Sequence, residues 1–113
     1  KMVIVDQTTA AQIVASDAAP MFFNDIGCMI EHLSRDPRVR PGEIAYVADH
    51  HTGEWIRAVD ALYTRNLRVA TPMGSHLIAH ANATTQTADP AARTGARVTI
   101  KDLLPLDVPD GTR

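Results

Sequence analysis

Residues 24–37, NDIGCMIEHLSRDP, carry the signals of a complete amphipathic helix. Asn24 or Asp25 can cap the N-terminus, because a short polar side chain accepts a hydrogen bond from the first helical turn. Apolar residues then recur at i, i+3, i+4 and i+7, on one face of a helix: Ile26, Met29, Ile30 and Leu33. Pro37 ends the pattern, since proline cannot extend the hydrogen-bond ladder. The sequence therefore predicts one helix over about residues 25–34.

Short runs rich in β-branched residues surround this helix and predict strands. The strand at 44–49 has the clearest pattern. The other predicted strands are Val3-Ile4-Val5, residues 11–15, 21–23, 55–59, 67–70, 77–81 and 97–100. Residues 60–63 are ambiguous. A second, short helix is expected after Asp89, with Pro90 at its first position and Gly95 as a C-cap.

This order of elements predicts an α+β fold made of two small ββαβ units packed together. We place the first unit at residues 1–52 and the second at residues 53–104. Residues 105–113 are expected to form a flexible C-terminal tail. Trp55 is expected to be an aromatic anchor of the core.

Composition limits the possible functions. The 113 residues are 45% hydrophobic, which suits one compact domain or two very small ones. The net charge of −2, with acids and bases interspersed, argues against a nucleic-acid partner. No apolar run approaches the ~20 residues that span a bilayer. The single cysteine, Cys28, excludes an intramolecular disulfide and a cysteine-only zinc site.

The segment Thr71-Pro72-Met73-Gly74-Ser75-His76 suggests metal chemistry. It brings a thioether and an imidazole three residues apart in a turn, where side chains can converge on an ion. A soft sulfur with a borderline nitrogen suits Cu(I) far better than Mg²⁺ or Ca²⁺. The alternative is that Met73 fills a gap between the two halves of the protein.

Five motifs, in order along the chain, resemble the NosL family of nitrous oxide reductase accessory proteins, which are extracytoplasmic copper-binding lipoproteins. The motifs are Ala10-Ala11-Gln12-Ile13, residues 22–29 (FFNDIGCM), Tyr46-Val47-Ala48-Asp49, residues 52–58 (TGEWIRA) and Thr71-Pro72-Met73-Gly74. The resemblance extends from Met2 to about Leu104. It implies two ββαβ units, Cu(I) binding and delivery of copper to a target metalloenzyme or its assembly complex, in the periplasm or at a membrane.

The resemblance also implies copper ligands. The family has a Cys-x-Met motif shortly before the Ala-Gln-Ile strand, and Met2 falls on its methionine. The cysteine would directly precede Lys1. A chain that starts within an apolar run is typical of one that has been processed or trimmed, so we expect a preceding segment that could carry a lipid anchor. The expected ligand set is Met2, Met73 and His76, converging on one surface.

Other candidate residues have plainer interpretations. Cys28 lies near the helix start, where the helix dipole lowers a thiol pKa, and is either a small, partly buried residue or a substitute thiolate. Adjacent histidines on a strand end point to opposite faces, so His50 and His51 would chelate one ion poorly and are expected in a solvated turn. His32 and His80 are expected at the surface.

Two further functions stand beside copper trafficking. One is a metal-free adaptor that keeps the fold and uses the Met73 segment to contact a partner. The other is an enzyme, since the family fold resembles part of organomercurial lyase. That chemistry needs several cysteines, and this chain has one. The sequence also lacks a Gly-rich phosphate loop, a Gly-x-Ser-x-Gly elbow and a His-Glu-x-x-His motif, so no enzymatic activity is predicted.

Overall fold

The computed structural model describes residues 7–36, 42–105 and 108–111. Within these ranges the chain forms two antiparallel sheets and several helices, which confirms the α+β fold class. The first sheet has the strand order β2-β1-β3-β4. Its strands are β1 (Ala11–Val14), β2 (Met21–Phe23), β3 (Ile44–Ala48) and β4 (Trp55–Arg57). The second sheet has the order β6-β5-β7. Its strands are β5 (Leu62–Arg65), β6 (Leu77–His80) and β7 (Ala96–Val98).

Each sheet contains a ββαβ unit with its first strand in the middle. In the first sheet, β1 and β2 are followed by helix α1 (Ile26–Arg35) and then β3. In the second, β5 and β6 are followed by the short helices α2 (Ala83–Ala88) and α3 (Pro90–Arg93) and then β7. Strand β4, expected to open the second unit, pairs instead with β3 in the first sheet. The division at residues 52 and 53 stays a prediction.

Helix α1 forms as its sequence predicts. The Asp25 side chain caps it by accepting a hydrogen bond from the Gly27 N–H at 2.8 Å. Ile26, Met29 and Leu33 are buried on the face that packs against the sheet. Pro37, expected to end the helix, lies outside the described residues, and the helix ends at Arg35.

Phe23 and Tyr63 are the aromatic members of the buried core cluster. The Tyr63 hydroxyl donates a hydrogen bond to the Ala58 carbonyl at 2.6 Å, and burial raises the pKa of that phenol. Trp55 is only half-buried and lies outside this cluster, so its predicted role as a core anchor is wrong. Trp55 lies on the edge strand β4, which has a neighbouring strand on one side only, so part of its indole is left uncovered.

The second half departs from the sequence prediction in its element boundaries. Residues 67–70 form a turn, and the strand lies earlier, at Leu62–Arg65. The buried Asn66 side chain stabilises this turn by accepting from the Arg68 N–H at 3.0 Å and donating to the Ala91 carbonyl at 2.8 Å. Residues 97–100 divide between β7 and helix α4 (Ile100–Leu103), because Thr99 and Asp102 form a capping box.

Residues 108–111, which belong to the expected C-terminal tail, contact the first sheet. Pro109 is fully buried, and its carbonyl accepts a hydrogen bond from the Ala45 N–H at 2.9 Å. Asp110 forms a β-bridge with Ile44. The segment thus covers the start of β3, where it satisfies backbone groups that would otherwise need water.

Asp49 joins the two sheets where β3 ends. It forms a parallel bridge with Ala79 of β6, and its side chain is fully buried. The carboxylate accepts from the N–H groups of His51 at 2.8 Å, Thr52 at 3.0 Å and Ala81 at 2.8 Å. Burial raises the pKa of this carboxyl, but the hydrogen bonds outweigh burial and the pKa is lowered. Asp49 therefore stays ionised and binds both halves of the protein together.

Candidate metal-binding sites

Residues 71–76, which we call the Met73 turn, lie in the connection between β5 and β6 and lead directly into β6. The Gly74 N–H donates to the Thr71 carbonyl at 3.0 Å, and Gly74 has a φ of 76°, which glycine adopts without steric cost. The Met73 side chain is 70% exposed. Met73 therefore does not fill a gap in the core, and its sulfur is accessible from solvent.

The buried Asp25 side chain fixes the Met73 turn to the start of α1. One carboxylate oxygen accepts from the Gly27 N–H, and the other accepts from Met73 N–H at 2.9 Å and Ser75 N–H at 3.4 Å. Burial raises the pKa of the Asp25 carboxyl, but hydrogen bonds from Ser75, Thr71, Met73 and Gly27 outweigh burial and lower it. One charged residue thus both caps the helix and positions the turn.

His76 has an uncommon backbone conformation. Its φ is 61°, in the left-handed region that a non-glycine residue adopts at a cost of about 1–2 kcal/mol. The His76 N–H donates to Thr71 Oγ1 at 3.1 Å, and the ring Nδ1 lies 2.9 Å from the Val69 carbonyl oxygen. Because a carbonyl only accepts, Nδ1 carries the proton, and in the neutral ring Nε2 carries the lone pair. A backbone-bound Nδ1–H is a common way to orient a metal-binding imidazole.

A second cluster lies at the other end of β6 and was not predicted. It consists of His50, His80 and Asp89, whose candidate ligand atoms all lie within 4.8 Å of one another. Asp89 Oδ2 is 2.5 Å from His50 Nδ1 and 2.9 Å from His80 Nε2. The two imidazole rings meet edge to face, with centroids 6.2 Å apart. We call these three residues the His–Asp cluster.

The environment of the His–Asp cluster corrects two sequence predictions. His80 is completely buried on β6 rather than at the surface, and His50 lies in the predicted turn but is half-buried rather than solvated. Asp89 caps α3 as expected, through a 3.0 Å hydrogen bond from the Ala91 N–H. Burial raises the pKa of Asp89, but the two histidines and the Ala91 N–H outweigh burial and lower the pKa to about 2. The carboxylate is therefore ionised at neutral pH.

Comparison with known proteins identifies the family. A family model described as NosL matches residues 1–106. The chain belongs to the NosL family. No curated protein and no solved structure matches it. NosL membership suggests a copper-related role, and the His–Asp cluster is a group of side chains that could bind a metal. No helix among the described residues is long and apolar enough to span a membrane.

Met2 and Cys28 are the candidate sulfur ligands of this NosL-family chain that lie outside the Met73 turn. Met2 lies outside the described residues, so its convergence with Met73 and His76 stays a prediction. Cys28 is a free, half-buried cysteine beside the apolar face of α1. Its thiol pKa is raised, by burial and by the negative charges of Asp25 and Glu31, and is not lowered as the helix dipole alone predicted. Cys28 is therefore protonated at neutral pH in the absence of metal.

The contact between α1 and the Met73 turn leads to a first prediction. A Cβ added at Gly27 would lie 2.5 Å from Ser75 Cβ. Gly27→Ala should therefore lower the free energy of unfolding by about 1–3 kcal/mol, although alanine by itself favours helix formation. Chemical denaturation measures the change.

A double-mutant cycle provides the control. Ser75→Gly removes the atom that the new Cβ would meet, so Gly27→Ala should cost less in that background than in the native protein. An unchanged cost in both backgrounds would show that the helix and the turn are not packed as described.

Proposed function

We propose that this protein binds Cu(I) outside the cytoplasm and delivers it to a target metalloenzyme, in a maturation pathway of the nitrous oxide reductase type. NosL-family membership supports a copper-related role. The chemistry of the Met73 turn supports the oxidation state, since thioether and imidazole donors favour Cu(I). The proposed ligands are Met2, Met73 and His76.

The observation that carries this proposal is the conformation of His76. Its ring is oriented by the Val69 carbonyl through Nδ1, which leaves the Nε2 lone pair as the donor atom. The left-handed backbone at this position costs free energy, and non-glycine residues in that region cluster at ligand-binding and active sites. The hydrogen bonds of the Met73 turn stabilise this left-handed conformation.

The exposure of Met73 supports transfer of the metal rather than storage. Its side chain is 70% exposed, so a partner could approach the sulfur without unfolding of the turn. Neutral thioether and imidazole ligands contribute no negative charge, which allows a copper-receiving protein with thiolates to take the ion. We further propose that a lipidated segment preceding Lys1 anchors the protein at a membrane.

A Cu(I) titration against a competing chelator tests the site. Met73→Leu and His76→Gln should each weaken Cu(I) binding by about tenfold or more, or about 1.4 kcal/mol, because each removes one ligand. Met21→Leu is the matched control, since Met21 is a 46% exposed methionine on β2. His51→Gln is the control for an exposed histidine. Neither control should change the affinity.

The outcomes separate the proposed function from the metal-free adaptor. Equal losses in Met21→Leu and Met73→Leu would show non-specific binding and contradict the site. Absence of Cu(I) binding, also after a cysteine is added before Lys1, would favour the adaptor. Delivery is tested by mixing the Cu(I)-loaded protein with the copper-free target enzyme and following recovery of its copper-dependent spectrum. No transfer would contradict delivery while leaving Cu(I) binding in place.

A further inference from the structure

We propose that the His–Asp cluster is a second metal site, which takes a borderline divalent cation such as Cu²⁺ or Zn²⁺. It is independent of the Cu(I) site proposed above. His76 and His80 are four residues apart across β6, and a strand rises about 3.3 Å per residue, so the two sites lie about 13 Å apart along the strand. A single ion cannot bridge that distance.

The ligand set determines the class of metal. Two imidazole nitrogens and one carboxylate oxygen suit borderline divalent ions, and sulfur is absent from this set. Among such ions, a nitrogen and oxygen site binds Cu²⁺ more strongly than Ni²⁺ or Zn²⁺. Three protein ligands also leave a coordination position for water or for another molecule. The chemistry therefore differs from that of the Met73 turn, which favours Cu(I).

The geometry is close to that of a coordinated ion. Ligand bonds of about 2.0–2.1 Å in a tetrahedral site separate the ligand atoms by about 3.3 Å. In the structure, Asp89 Oδ2 lies 2.5 Å from His50 Nδ1 and 2.9 Å from His80 Nε2. Each histidine nitrogen thus needs to move away from Asp89 by less than 1 Å, and all three ligand atoms already lie within 4.8 Å of one another. His50 can supply this movement, because it follows the end of β3 in a turn and its side chain is 21% exposed.

Within the part of the chain that the structure describes, the hydrogen bonds of the buried His80 ring are only half satisfied. Its Nε2 bonds Asp89, but its Nδ1 is buried and has no hydrogen-bond partner among the described residues. An unsatisfied buried polar atom is unfavourable, and here it belongs to a residue with no exposed surface. A leucine or methionine would fill the position without that cost. The imidazole supplies what an apolar residue cannot, a ring nitrogen that contacts Asp89 within reach of His50.

Each ring must release a proton from its coordinating nitrogen before it binds metal. The ionised Asp89 oxygen only accepts, so His50 Nδ1–H and His80 Nε2–H each donate a hydrogen bond to it in the metal-free protein. On metal binding each neutral ring would carry its proton on the other ring nitrogen, His50 Nε2 or His80 Nδ1, and the vacated nitrogen lone pair would bond the ion. The carboxylate of Asp89 changes from hydrogen-bond acceptor to metal ligand. No electron is transferred in this exchange.

Zn²⁺ and Cu²⁺ titrations of the full chain test this site. A Cys28→Ser background removes the free thiol as a competing ligand. We expect one equivalent of Zn²⁺ to raise the melting temperature, and one equivalent of Cu²⁺ to give an electron paramagnetic resonance spectrum with nitrogen coupling. His50→Ala should weaken binding of both ions by about 100-fold or more, because even the loss of a group that only orients a ligand costs about 10–100-fold. His51→Ala is the matched control, because His51 is the adjacent exposed histidine and lies outside the cluster.

Two additional variants keep the result interpretable. Asp89→Asn retains an oxygen that can cap α3 but loses the negative charge, so it should fold and bind divalent ions more weakly. Met73→Leu should leave divalent binding unchanged, and His50→Ala should leave Cu(I) binding unchanged. Equal losses in His50→Ala and His51→Ala, or absence of a one-to-one complex in the native chain, would overturn the second site. Neither result would affect the Cu(I) proposal.

Discussion

Replacing Asp49 by alanine is expected to lower the free energy of unfolding by about 3–5 kcal/mol. The fully buried carboxylate accepts three backbone hydrogen bonds, from His51, Thr52 and Ala81. The first two donors lie in the turn after β3, and the third follows β6 in the other sheet. The substitution would leave these donors without their charged acceptor and remove the side-chain hydrogen bond that joins the sheets, while the backbone bridge between Asp49 and Ala79 remains. Urea denaturation, followed by circular dichroism, measures the loss.

Asp102→Ala is the matched control for this prediction. Asp102 also accepts a backbone hydrogen bond, from Thr99, but it is exposed at the start of α4. Its loss should cost much less than the loss of Asp49, because water can replace the exposed carboxylate. Similar losses of unfolding free energy in the two variants would mean that Asp49 stabilises only the turn after β3. The hydrogen bond from Ala81 would then contribute little to holding the two sheets together.

The first half of the fold could be predicted because its signals are local. Helix α1 carries its own cap, apolar face and stop, so residues 25–34 were identified without knowledge of their neighbours. The strand Ile44–Ala48 is equally clear from its β-branched and aromatic side chains. In the second half, the helix Ala83–Ala88 was missed, because its sequence ATTQTA has no apolar period. Only the N-cap Asn82 indicates that a helix begins there.

The two candidate sites also differ in how close together their residues lie in the sequence. Met73 and His76 lie three residues apart, so their turn could be recognised from the sequence. The three residues of the His–Asp cluster are separated by 30 and 9 positions, and no spacing rule joins them. They meet because Asp49 and Ala79 bridge the sheets, and because Asp89 caps α3 beside the end of β6. A site formed by packing between two sheets could not be found before the pairing of those sheets was known.

A cysteine added directly before Lys1 is expected to raise the affinity for Cu(I) by on the order of 100-fold, or about 2.7 kcal/mol. The resemblance to the NosL family puts the thiolate of its Cys-x-Met motif at that position. A thiolate adds negative charge as well as softness, whereas Met73 and His76 contribute only neutral lone pairs. A Cu(I) titration against a competing chelator, at fixed pH, compares the two chains.

A serine added at the same position is the control, because it lengthens the chain equally without a thiol. The gain from cysteine should also shrink when Met73 is changed to leucine, since the thiolate and the thioether would then no longer share an ion. Equal affinity of the cysteine and serine chains would show that the added thiol is not a ligand. Attention would then move to Cys28, whose thiol must lose a proton despite its raised pKa before it can bind copper. In that case Cys28→Ser should abolish tight Cu(I) binding, and binding would strengthen as pH rises.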